Sequence, residues 1–396
     1  MKTLAIAAAV VGLVCLASAR LHAQGEFPLK QTQIQESDPI ASMGRQIAQG
    51  QRERPPALKA LPPNLSADLR FYVLSFGETQ VLAVLDNASP ARLFVDSSGT
   101  GDLAGATALT ASGPAESGMF GPAALPGGAK ARFRVFNRGD IIMAMAGGYM
   151  AGEVKLDGQS YRVALVDANL NGRYDDVVSL GGEASGPNSA SDVLAVDLNQ
   201  DGQFDRSFRQ SPETLPLLPM VQVKGTYYSA KPARDGSSIR LEKVQPQMGA
   251  MDVGAADVVM MFFSDSGFHR LAESGGKWKV PAGRYRCVDI TWFRKDAAGA
   301  TWMITDTGNV GKTENLEVRP GATLAVKVGP PLVARVEAPA ETAAGSEADI
   351  SLVLEGQAGE TYAAGVEKNG QRMPAPKVRI TDEAGKVLAQ GNCEFG

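Results

Sequence analysis

Two segments of this 396-residue chain space their oxygen donors as a hard cation would require. The first runs Val163-Ala-Leu-Val-Asp167-Ala-Asn169-Leu-Asn171-Gly172-Arg173-Tyr174-Asp175. The second runs Val193-Leu-Ala-Val-Asp197-Leu-Asn199-Gln-Asp201-Gly202-Gln203-Phe204-Asp205. Each is four apolar residues followed by D-x-N-x-[ND]-G-x-[YF]-D, and the leading aspartates are 30 residues apart. Calcium takes six to eight oxygens at about 2.3–2.6 Å. In such loops positions 1, 3 and 5 turn side-chain oxygens inward, and glycine at position 6 permits the sharp turn. Position 7 offers only its carbonyl, so Arg173 and Gln203 are acceptable there. The expected Ca²⁺ ligands are Asp167, Asn169, Asn171, Arg173 and Asp175 in one loop. In the other they are Asp197, Asn199, Asp201, Gln203 and Asp205.

An EF-hand closes its sphere with a glutamate at position 12. Here that position holds Val178 and Phe208, while both loops carry aspartate at position 9. Closure is therefore expected early, with no exiting helix, and the apolar lead reads as a strand. The second loop has three carboxylates (Asp197, Asp201, Asp205) and is expected to bind more tightly than the first, which has two plus Asp176. A degenerate third copy, Asp96-Ser-Ser98-Gly-Thr100-Gly101-Asp102, puts hydroxyls in place of the amides and Ala104 at position 9. Ion-free turns also use Asp, Asn and Gly. The paired lead, aromatic and closing aspartate favour an ion in the first two copies. No nucleophile or base flanks either loop, so a structural ion is expected rather than a catalytic one.

Composition narrows the chemistry further. The chain has 2 histidines and 3 cysteines, and His22 and Cys15 fall in a leader-like segment. His269, Cys287 and Cys393 cannot build a His-rich zinc site, a CxxC pair or a four-cysteine cluster. A catalytic triad would have to run through His269. With 43 acidic and 39 basic residues the net charge is −4, and nothing basic is clustered, so no nucleic-acid partner is expected.

The elements that must position the loops are strands. Residues 1–23 read as a signal peptide: Lys2, an apolar run from Leu4 to Leu16, then Ala17-Ser18-Ala19. Export to the cell surface, the periplasm or the medium follows, with no transmembrane segment in the mature chain. Residues 24–65 are polar and proline-dotted, a linker with one short helix around Ile40 to Arg52. From Ser66 onward, apolar runs of four to six residues alternate with turn residues, which predicts a mainly β, multi-domain chain of sandwich or barrel-like units. The stretches 99–128 and 181–188 read as loops. The predicted units are a loop-bearing β domain at 66–220, a second β domain at 221–330 and an Ig-like or transthyretin-like domain at 331–396. That last stretch is shorter than the roughly 100 residues of a full immunoglobulin sandwich, so its last strand is expected to be missing or supplied from elsewhere.

The loops resemble the calcium loops in β-hairpins of integrin-type propellers. LFVDSSGTGDL (93–103), YRVALVDANLNGRYDD (161–176) and KWKVPAGRYR (277–286) are similar to segments of uncharacterised secreted bacterial β-rich proteins. This resemblance covers about residues 66–330 and departs from the pattern at Ser98 and Thr100. It implies a β-rich exported protein and no established activity.

Other signals are weaker. Arg138-Gly139-Asp140 spells an adhesion tripeptide and Ser274-Gly-Gly-Lys277 an SxxK, but a glycine pair opposes the helix that SxxK needs. His269 lies in a Ser/Asp/Gly-rich stretch and reads as a surface residue. Cys287 and Cys393 could pair in an oxidising compartment. Trp278, Trp292, Trp302 and Tyr285 read as core and edge residues of the second β region, with an aromatic carbohydrate face as the alternative. The expectation is an exported calcium-binding protein with a surface, adhesion or envelope-binding role and an unknown extracellular ligand. One alternative is a calcium-stabilised hydrolase acting on polysaccharide or peptide, which would need two carboxylates about 5–9.5 Å apart in a cleft. Another is an accessory domain working beside a partner chain.

Overall fold

A computed structural model describes residues 24–34, 40, 45–112, 118–178, 180, 191–205, 212–254, 257–272, 275–339, 350–362 and 366–393. The signal peptide, the 181–188 loop and Ser274 lie outside them. Strands dominate, and no α-helix occurs among the described residues. Among the described residues no sheet closes into a barrel, which leaves separate open sheets.

The first seventeen strands build four stacked antiparallel sheets. They begin with β1 (Gln24–Pro28), β2 (Lys30–Gln33), β3 (Arg45–Gln49), β4 (Leu69–Phe76), β5 (Thr79–Asp86) and β6 (Arg92–Val95). Next come β7 (Leu109–Thr110), β8 (Met119–Ala124), β9 (Lys130–Phe136), β10 (Ile141–Ala146), β11 (Gly148–Leu156) and β12 (Gln159–Val166). The series ends with β13 (Val193–Val196), β14 (Thr214–Pro216), β15 (Met220–Val223), β16 (Thr226–Pro232) and β17 (Ser238–Val244). The sheet orders are β4-β5-β6-β7, β3-β10-β9-β8, β14-β13-β12-β11-β2 and β1-β17-β16-β15.

The sheet holding β12 and β13 is a middle layer. Ala164, Val166, Val193 and Ala195 face a core shared with Tyr72, Leu74, Phe133 and Ile142. Val163, Leu165, Leu194 and Val196 face the opposite core, with Tyr228, Ile239 and Leu241. That is why VALV and VLAV show no polar alternation: neither face meets water. The run VLAVL in β5 has the same cause, since Leu82 and Val84 pack under Leu58 and Leu103 on the far side.

Part of the stretch expected to be linker is structural. β1, β2 and β3 pair with β17, β11 and β10 respectively. Of the short helix expected around Ile40 to Arg52, residues 41–44 lie outside the described residues and Arg45–Gln49 form β3 instead. The 99–128 stretch, expected as loop, contains β7 and β8. The expected boundary at 220/221 is bridged, because β15–β17 pack on the middle sheet through Val221 and Val223, beside Leu217.

A second body of strands follows. It comprises β18 (Met248–Asp252), β19 (Val258–Ser264), β20 (Gly267–Leu271), β21 (Lys277–Pro281), β22 (Gly283–Lys295) and β23 (Thr301–Thr305). β24 (Leu316–Val318), β25 (Thr323–Ala325), β26 (Val333–Glu337), β27 (Ser351–Glu355) and β28 (Thr361–Tyr362) come next. β29 (Glu367–Lys368), β30 (Gln371–Arg372), β31 (Lys377–Thr381) and β32 (Val387–Asn392) complete the set. The long β22 organises this body, pairing with β19, β23 and β24. Trp278, Tyr285 and Cys287 are buried in its core, and Trp292 packs against the same core. Trp302 is half-buried, with Lys368 Nζ 4.7 Å from its ring centroid.

The expected boundary at 330/331 is also crossed. β29 pairs with β23, and Ala358 and Tyr362 belong to the core of the second body. The fully buried carboxylate of Glu360 accepts hydrogen bonds from the amides of Gly329 and Ala358 and from the Tyr362 hydroxyl. Trp292 Nε1 in turn donates to Tyr362 Oη at 2.9 Å. Beyond it β31 and β32 form a two-stranded hairpin with largely exposed side chains. Cys287 and Cys393 are both free thiols.

Candidate metal centre

The two expected cation loops leave the middle sheet at opposite ends. β12 and β13 are antiparallel, with Val166 opposite Val193 and Val163 opposite Val196. The loop after Val166 therefore sits beside the start of β13, and the loop after Val196 sits beside Arg162 and Ser160. The second loop is pinned there: Asp197 N donates to Arg162 O at 3.0 Å, and Gln200 Nε2 to Ser160 O at 2.8 Å. The Arg162 guanidinium bonds the Gly202 carbonyl and lies over the Phe204 ring.

All three copies share one backbone arrangement. The position-1 aspartate accepts the position-6 glycine amide: Gly101 N to Asp96 Oδ2 at 2.7 Å, Gly172 N to Asp167 Oδ2 at 2.8 Å and Gly202 N to Asp197 Oδ2 at 3.0 Å. Position 3 accepts the position-5 amide in each: Ser98, Asn169 and Asn199 receive Thr100, Asn171 and Asp201. Gly172 and Gly202 have φ of 82° and 85°, the left-handed region that side chains avoid. A repeated sequence has thus produced a repeated turn.

Side chains separate the copies. In the third, Ser98 Oγ donates to Asp96 Oδ1 and bonds Thr100 Oγ1, so hydroxyls fill the loop interior. A groove of about 750 Å³ runs beside it, lined by Asp96, Ser98, Thr100, Asp102, Thr107 and Leu109 among others. Asp96 is committed to the loop's own donors.

In the first loop the Asn171 amide draws Asp167 and Asn169 together, donating to Asp167 Oδ1 at 3.1 Å and Asn169 Oδ1 at 3.2 Å, and Asp175 turns aside. Its Oδ1 takes the Arg173 Nε at 3.0 Å. The inward carboxylate is Asp176, whose Oδ2 accepts Asn169 Nδ2 at 3.0 Å and Asn171 Nδ2 at 2.7 Å. Asp192, just before β13, joins it fully buried. Its Oδ2 accepts Asp176 N at 2.8 Å, and its Oδ1 has no hydrogen-bond partner. Burial, with the charges of Asp167 and Asp176, pushes the Asp192 carboxyl up to about 8. Burial and then the Asp176 charge push Asp167 up to about 6. Burial and the charges of Asp167 and Asp192 push Tyr174 up to about 12. The charges of these acids thus act on one another and on the phenol, and Asp192 is joined to Asp176 through the Asp176 amide. Lys130 lines the adjoining narrow cleft with Asp167 and Tyr174.

In the second loop Asp197 is buried and its Oδ1 lacks a partner, while Asp201 and Asp205 are exposed. Asp201 Oδ1 and Oδ2 take Gln203 N and Asn199 Nδ2. The buried acid here is Glu213, just before β14, whose two oxygens accept Asn199 N at 2.9 Å and Asp205 N at 3.0 Å. Each loop is thus met by a buried carboxylate from the residue preceding the next strand. The available signal was an acid immediately ahead of an apolar run, Asp192 before VLAV and Glu213 before Thr214-Leu215.

Among the described residues no three His, Cys, Asp or Glu side chains are grouped closely enough to hold a metal ion by themselves. Either loop would have to draw on amide and backbone oxygens as well, which calcium accepts. The orphaned buried oxygens of Asp192 and Asp197 fit such an ion, because a buried acceptor without a donor costs about 1–3 kcal/mol and more when charged.

His269 corrects its expected surface position. It is buried on β20, with Nε2 at 2.9 Å from Ser264 Oγ and 3.0 Å from Ser266 Oγ, between Tyr227 and Tyr285. Burial pulls its imidazole down to about 4. The hydroxyls explain how a polar ring is accommodated there. No family model, curated protein or solved structure matches the chain.

Proposed function

We propose that the chain is an exported β-rich protein in which the 167–175 and 197–205 loops hold calcium as a structural ion. Its role is binding at a surface or envelope rather than catalysis. The observation that carries the ion is the pair of buried, partnerless carboxylate oxygens, Asp192 Oδ1 and Asp197 Oδ1, one at each loop. Protein cores do not leave such atoms unpaired without a reason, and a cation is the partner that also relieves the surrounding negative charge. The external role rests on the leader-like sequence. No helix among the described residues is long and apolar enough to cross a membrane.

Calorimetric titration with CaCl2, and melting with and without EGTA, test the ion. At calcium one hundred times Kd, one site adds about 2.7 kcal/mol. For a unit of this size that raises Tm by roughly 5–10 °C. No heat and no EGTA effect would sink the proposal.

A further inference from the structure

We infer that the 167–176 loop is the tighter calcium site, completed by Asp176 and Asp192 instead of Asp175. This rests on the calcium reading above and reverses the affinity order that carboxylate counting along the sequence gives. Counting credits the second loop with Asp197, Asp201 and Asp205. Two of those are exposed, where water and salt already compensate their charge. The acid that does reach that loop from the sheet, Glu213, has both oxygens occupied by loop amides.

The first loop has the opposite character. Asp175 is tied to Arg173. Asp176 faces the amides of Asn169 and Asn171. Asp192 is fully buried just before the strand next to the loop's own, and its Oδ1 has no partner within hydrogen-bond geometry. The charges of Asp167 and Asp176 act on Asp192, and beside them lie Arg173, whose Nη2 is 3.6 Å from Asp176 Oδ1, and Lys130 in the adjoining cleft. An ion there gains from removing three-way repulsion in a low-dielectric setting, a gain unavailable to exposed carboxylates. The site is also rigid, since Asp192 is fixed through Asp176 N and the β12–β13 ladder.

Calcium titration of the full chain is compared for wild type, Asp192→Asn, Asp175→Asn and Asp197→Asn, with Tm measured in EGTA. Asparagine keeps an acceptor oxygen for Asp176 N but removes the charge. Asp192→Asn should weaken the tighter step at least tenfold while Tm in EGTA holds or rises. Asp175→Asn should stay within twofold, and Asp197→Asn should remove only the weaker step. Asp176→Asn repeats the test at the loop itself, should Asp192→Asn fold poorly. Loss of the tight step in Asp175→Asn or Asp197→Asn, with Asp192→Asn unchanged, overturns this assignment but leaves calcium binding standing. Absence of calcium heat in the wild type overturns both.

Discussion

Replacing Glu360 by alanine should detach the 350–362 segment from the second body. The carboxylate is wholly buried and receives three donors: Gly329 N, Ala358 N at 2.7 Å and Tyr362 Oη at 3.0 Å. Burial and the neighbouring carboxylate push the Tyr362 phenol well above its ordinary value, so it stays protonated and donates. Alanine leaves all three donors without an acceptor, each costing about 1–3 kcal/mol. Partial relaxation and the relief of a buried charge offset part of this, so a net loss of about 3 kcal/mol is expected. For a body running from Met248 to Asn392 that is roughly a 10 °C fall in Tm. Glutamine keeps one acceptor oxygen for Gly329 and Tyr362 but turns an NH2 towards Ala358 N, and should lose about half as much. The assay is guanidinium unfolding followed by tryptophan fluorescence, since all three tryptophans (278, 292, 302) lie in this body and Trp292 donates to Tyr362. A loss below about 1 kcal/mol for alanine, or a glutamine variant weaker than the alanine one, would refute the three-donor reasoning.

Two further outcomes concern side chains that burial perturbs. His269 titrates near its ordinary 6.5 when unfolded but near 4 when folded, so between those values the unfolded state binds the extra proton. The His269 contribution should therefore fall by up to about 3 kcal/mol as pH drops from 6.5 to 4 and be constant above. The raised Asp167 and Asp192 carboxyls act with the opposite sign, so the difference between wild type and variant isolates the histidine. In His269→Gln this component should vanish from denaturation curves at pH 4.5 and 7.5; parallel slopes for both proteins would contradict the assignment. Burial pushes the Cys287 thiol up to about 12, whereas Cys393 is partly exposed and neither is in a disulfide. Native iodoacetamide labelling at pH 8 should mark Cys393 and spare Cys287 until denaturant is added; peptide mass spectrometry showing Cys287 labelled in the native protein would count against this.

The strands flanking the loops could be read from sequence because an apolar run without polar alternation has few homes other than a strand covered on both faces. Gly172 and Gly202 marked turns that need positive φ, and both turn there. Other parts were hidden for physical reasons. β1, β2 and β3 each lie at the edge of their sheet. Edge strands favour polar residues and tolerate proline, so QGEFP and KQTQ look like linker. Asp192 and Glu213 were missed because a ligand from the adjacent strand is close through the ladder, not through the chain. His269 was misplaced because its hydroxyl neighbours imitate a turn, while in the fold they make its burial possible.

The pairing of β1 with β17 sets a timing constraint on folding. Pro28 lies opposite Ser238, about 210 residues downstream. At 5–20 residues per second a ribosome takes roughly 10–40 s to make that stretch. Throughout that interval β1 has no partner, and one face of the middle sheet has no cover until β15–β17 emerge. Such long-range closure slows folding and leaves open edges. A chain halted before residue 217 would expose Val163, Leu165, Leu194 and Val196 together, an adhesive surface that β15–β17 hide.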